Sequence, residues 1–65
     1  MNPIINTLTQ SIAAHDARIK ELFEAKITCP YKKDKNKFQR CIDRHEAART
    51  QLQDQLDHMM AQEAA

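Results

Sequence analysis

Ile5, Leu8, Ile12, His15, Ile19 and Leu22 follow one another at steps of three and four residues. That is the spacing of one face of an α-helix, and it predicts a long amphipathic helix over the first third of the chain. A second stripe runs Phe38, Ile42, His45, Leu52, Leu56 and Met59, with Cys41, Ala48 and Met60 on its flank. β-branched residues sit at helical spacing and never alternate with polar ones over a strand's length, so no strand is expected. A helix cannot bury such a stripe alone. Another part of the chain, another copy or a partner has to cover it.

The boundaries follow from local chemistry. Asn2 before Pro3 suits a helix start, with a side chain that can cap and then a proline where its missing N–H costs nothing. Pro30 disfavours helical geometry at Cys29 and so ends the first helix near Ile27 or Thr28. The expected organisation is a helix over about 3–27, a turn over about 28–36 and a helix over about 37–62. Asn36 and Gln39 resemble a capping box that would start the second helix, while Pro30 at the first helical position is an alternative start. The sequence leaves both open. Asp16 and Lys20 are spaced for an ion pair along the wet side of the first helix. Residues 61–65 have no anchor and are expected to fray.

Two helices of about 25 residues, each roughly 37 Å long, joined by a short loop become antiparallel neighbours. Folding near residue 32 sets Leu22 beside Ile42, Ile19 beside His45, Ile12 beside Leu52, Leu8 beside Leu56 and Ile5 beside Met59. The stripes match in length and level. The expected fold is therefore all-α, a coiled-coil-like antiparallel two-helix hairpin forming one domain over residues 1–65. Domains this small bury little surface for their length, and a lone hairpin leaves Ile4, Phe23 and Met60 poorly covered. Self-association into a four-helix bundle is the natural extension. Its expected seam is Ile5, Leu8, Ile12, Ile19, Leu22, Phe38, Ile42, Leu52, Leu56 and Met59.

Composition supports the helical reading. The 65 residues include no glycine and two prolines, and alanine, glutamine, lysine and leucine all favour helix. No basic cluster followed by an apolar run marks a signal peptide, and no stretch reaches the eighteen or so apolar residues of a membrane span. The expectation is a cytoplasmic protein without a membrane partner and with reduced thiols.

Charge changes the picture more than its total suggests. The chain carries a net +1, but residues 26–44 carry +5, residues 1–25 carry −1 and residues 45–65 carry −3. A hairpin would be a rod with one positive and one negative end. Lys32, Lys33, Lys35, Lys37, Arg40 and Arg44 form the candidate binding site, with Tyr31 and Phe38 among them. Lysines and arginines contact phosphates or acidic partners, and aromatics stack on unpaired bases. The plainer reading is a solvated turn with Phe38 closing the core.

Cys29, Cys41 and His45 could converge near the turn, since Cys41 and His45 are one helical turn apart. Structural zinc wants four ligands with paired cysteine spacing, and neither is evident. No metal and no cofactor is expected, and the two thiols read as small buried or half-buried side chains. His15 and His45 lie within the stripes, where a polar residue can fix register or confer pH sensitivity; the simpler alternative is a ring at the seam's margin. His58 falls outside the stripe. Catalysis has no foothold: there is no glycine for a phosphate loop or nucleophile elbow, no base-and-orienter arrangement around a cysteine, and no deep pocket to expect in a two-helix hairpin.

Arg18 to Ala25 (Arg-Ile-Lys-Glu-Leu-Phe-Glu-Ala), with Arg40-Cys41 opening a second helix, resembles the C-terminal helical region of the primosomal replication protein PriC family. The chain is far shorter than that family and lacks its N-terminal part. The resemblance implies a helical accessory protein that touches single-stranded DNA and its coating protein, with Lys32, Lys33, Lys35, Lys37 and Arg40 as contacts. The residues themselves lead first to a non-enzymatic helical interaction module, a homo-oligomer that also binds an unidentified protein partner. The alternative is a replication-related nucleic-acid-binding accessory using the basic segment Lys32–Arg44.

Overall fold

A computed structural model describes residues 2–64. Helix α1 spans Pro3–Thr28 and helix α2 spans Lys32–Ala64. The two pack against each other along their length as an antiparallel hairpin, a rod of 51 × 15 × 12 Å, and no strand occurs among the described residues.

The start of α1 is fixed by Asn2, whose Oδ1 accepts the Ile4 N–H at 2.9 Å and whose carbonyl accepts the Asn6 N–H at 3.2 Å. Pro3 then takes the first helical position, where its φ is already helical and no N–H is missed. The helix ends at Thr28, because Cys29 precedes a proline and is held extended (φ −75°, ψ 126°). Its N–H still closes onto the Ala25 carbonyl at 3.0 Å.

The connection is shorter than the 28–36 stretch expected. Only Cys29, Pro30 and Tyr31 lie between the helices, a length common in helical hairpins. The Tyr31 carbonyl accepts the Lys35 N–H at 3.0 Å and opens α2. Neither expected start is used: Asn36 lies inside the helix and Pro30 before it. The reason is that Lys32 to Asn36 contains nothing that breaks a helix. Lysine is a good helix former, and Asp34 stands in the first turn, where the helix dipole favours an acid.

Four contacts between the helices fix the register. Asn2 Nδ2 donates to Glu63 Oε1 at 2.9 Å, Arg49 pairs with Asp16, Lys26 donates to Gln39 Oε1, and the rings of His15 and His45 meet. In the first three, the two residue numbers add to 65, within one position of the expected pairing. Leu8, Ile12 and Leu56 form a buried cluster at the open end, with Ile5, Leu52 and Met59 packed against it. Leu22 and Ile42 are buried at a matching level nearer the turn, with half-buried Phe38 one turn beyond. The His15–His45 contact lies between these two apolar stretches.

Candidate interaction site

All ten residues of the expected seam are buried or half-buried within the single hairpin. Ile5, Leu8, Ile12, Ile19, Leu22, Phe38, Ile42, Leu52, Leu56 and Met59 thus help to close one chain on itself, with Ile5, Ile19, Phe38, Leu52 and Met59 still partly exposed. Further apolar surface lies outside them. Ile4 (57% exposed), Phe23 (52%), Ile27 (61%), Tyr31 (68%) and Met60 (53%) remain uncovered. Ile4, Phe23 and Met60 were expected to be so. Ile27, on the stripe of exposed Asp16, and Tyr31, in the turn, join them.

The Asp16–Arg49 ion pair marks one side of the rod. Asp16, Ile19, Glu46, Arg49 and Thr50 line an open groove there, near the middle of its length. Asp16 therefore reaches across to α2 and makes no ion pair with Lys20. The one ion pair found within a helix among the described residues is Arg18–Glu21, at 2.9 Å and well exposed. Exposed pairs of this kind contribute little, about 0.2–1 kcal/mol, so their use here is to identify faces.

The basic cluster gathers at the turn, around the N-terminal end of α2. Lys32, Lys33, Lys37, Arg40 and Arg44 are exposed and Lys35 is half-buried. None of the six makes an ion pair among the described residues. The lysines of the first turns stand where the helix dipole is already positive. Their mutual repulsion and the dipole therefore act in the same unfavourable sense, and an anionic group brought to this end would relieve both.

Sequence reasoning set His15 and His45 in the seam but paired His45 with Ile19. The structure brings the two rings together, Nδ1 to Nδ1 at 2.9 Å, with centroids 5.1 Å apart and planes tilted by 53°. The missed signal is that both rings lie on the inward faces of antiparallel helices, roughly 7.5 Å out of level at 1.5 Å per residue. Long, flat side chains meet diagonally across such a gap.

The cysteines are not brought to His45. Cys29 is half-buried at the turn, its Sγ 3.7 Å from the Tyr31 carbonyl, and Cys41 is exposed where a buried or half-buried thiol was expected; both are free. Cys41 is exposed because it sits on the flank of its stripe. No three His, Cys, Asp or Glu side chains come together as a metal site among the described residues. His58 is exposed beside Gln62. No helix among the described residues is long and apolar enough to cross a membrane.

Comparison with family models, with curated proteins and with solved structures finds no match to this chain. The likeness of residues 18–25 and 40–41 to the PriC family rests on those residues alone.

Proposed function

We propose that this protein is a non-enzymatic helical interaction module whose hairpins associate with one another and present surfaces to a protein partner. The observation that carries this reading is uncovered surface. The hairpin exposes 5093 Å², whereas a compact monomer of its 7.5 kDa mass would expose about 4,200–4,300 Å². The excess of roughly 800 Å² is what one partner contributes to an interface of standard size. Among the described residues, five apolar side chains are buried and five large ones stay more than half exposed. Sedimentation equilibrium across micromolar to millimolar concentration tests the reading. A dimer or tetramer is expected; a folded monomer throughout would remove it.

A second reading attaches to the basic end, and the cluster of cations that make no ion pair among the described residues favours it. Six cations beside two exposed or half-buried aromatics, Tyr31 and Phe38, suit an unpaired nucleic acid strand, as the PriC resemblance also implies. Binding of this kind falls steeply with salt because phosphate contacts release counterions. Titration of labelled single- and double-stranded oligonucleotides at low and high salt tests it. Lys32→Glu with Lys33→Glu should weaken any binding by about tenfold or more while leaving the helical circular-dichroism signal unchanged. No binding at low salt would end this reading and leave the first intact.

A further inference from the structure

We propose that a second copy of this chain seats antiparallel on the side of the rod marked by the Asp16–Arg49 pair, the basic turn of each hairpin lying against the acidic open end of the other. This rests on the self-association reading above and adds to it a face and a direction.

The ion pair fixes the face. Residues seven or eleven positions apart on a helix share a stripe. Phe23 and Ile27 follow Asp16 by seven and eleven positions, and Ile5 precedes it by eleven. On α2, Met60 follows Arg49 by eleven. The exposed Phe23, Ile27 and Met60 and the half-buried Ile5 therefore flank the same groove lined by Asp16, Ile19, Glu46, Arg49 and Thr50. The face is apolar towards both ends and polar in the middle. It is long enough to be an interface, since Ile5 and Ile27 are about 33 Å apart at 1.5 Å per residue.

A two-fold axis at the level of Asp16 brings Ile27 level with the partner's Ile5 and Met60, and sets groove on groove at the centre. Apolar residues then cover apolar residues at both ends. A parallel arrangement would also match them, Ile27 on Ile27, and charge decides between the two. Residues 26–44 carry +5. At the other end, residues 50–64 carry Asp54, Asp57 and Glu63 with no lysine or arginine, and residues 2–14 carry no charged side chain. Parallel pairing sets the two +5 segments side by side, while antiparallel pairing sets each against acids. Like-charge juxtaposition across an interface costs several kcal/mol, so this asymmetry selects direction.

The test is disulfide trapping in a Cys29→Ser, Cys41→Ser background; both positions are at least partly exposed, and far-UV circular dichroism checks that the helices are kept. Ile27→Cys protein is mixed with Met60→Cys protein under mild oxidation, and the products are identified by mass. The mixed disulfide is expected to exceed either like–like product by about tenfold, a difference of about 1.4 kcal/mol. Predominant Ile27–Ile27 trapping would overturn the direction. A dimer by sedimentation that traps neither would overturn the face. A monomer by sedimentation would instead remove the self-association reading itself, so the failures are told apart.

Discussion

His15 and His45 set a condition on the fold through the contact of their rings. A contact of 2.9 Å between two Nδ1 atoms needs one N–H and one lone pair. It survives when both rings are neutral in complementary tautomers, and when one ring is charged. It cannot survive when both are charged, because two N–H groups then point at each other. Removing one ring takes this hydrogen bond away and costs about 1 kcal/mol, or a fall in Tm of about 4–8 °C for a domain of this size. Thermal melts of His45→Ala against the parent should show it; an unchanged Tm would mean that the contact carries no stability.

At the scale of the elements, packing and the turn divide the work. Ile42 is the most buried side chain among the described residues, at 3% exposure. Ile42→Ala should cost about 2–4 kcal/mol, whereas Ile4→Ala, at an exposed position, should change stability by about 0.5 kcal/mol or less; urea melts compare the two. The fold class was legible because both stripes keep helical period over their whole length and have equal reach, so a short connection between them lets one close on the other. The end of α1 was legible because Pro30 dictates the geometry of Cys29. The start of α2 was not: Asn36 looks like a cap locally, but a helix already running from Lys32 has no reason to stop and restart there. The seam was half legible. Its residues were named correctly as apolar, yet periodicity cannot say whether a stripe meets its own chain or another. Asp16 was spaced for Lys20 but found Arg49, since an arginine reaching across a packed pair competes with any neighbour along the helix. Pro30 keeps Cys29 extended and so interrupts what would otherwise be a continuous helical stretch. Pro30→Ala lets Cys29 and Tyr31 become helical, and two extended chains can then exchange helices to bury the same stripes. Sedimentation and small-angle scattering should show a longer dimeric species in Pro30→Ala that is absent from the parent.

At the scale of the molecule, the rod is a charge dipole with a partly apolar side, and the two properties can be tested together. Ile27 lies at the basic end and Met60 at the acidic end, about 33 Å apart within one hairpin. That is several Debye lengths at physiological salt, so they do not interact within a chain. Ile27→Glu alone removes an apolar contact and buries an acid, and should weaken self-association about ten- to a hundredfold. Met60→Lys alone should do the same. The combined protein distinguishes the directions. If copies pair antiparallel, each Glu at 27 faces a Lys at 60 of the other copy, and association should recover to within about tenfold of the parent, which a double-mutant cycle reads as coupling. If copies pair parallel, acids face acids and lysines face lysines, and the double substitution should be worse than either alone. Recovery should fade as salt is raised, because the rescued contact is electrostatic while the lost one was not. A double variant whose losses merely add would mean that these two positions never meet across the interface, and the charge asymmetry of the rod would then need another partner to explain it.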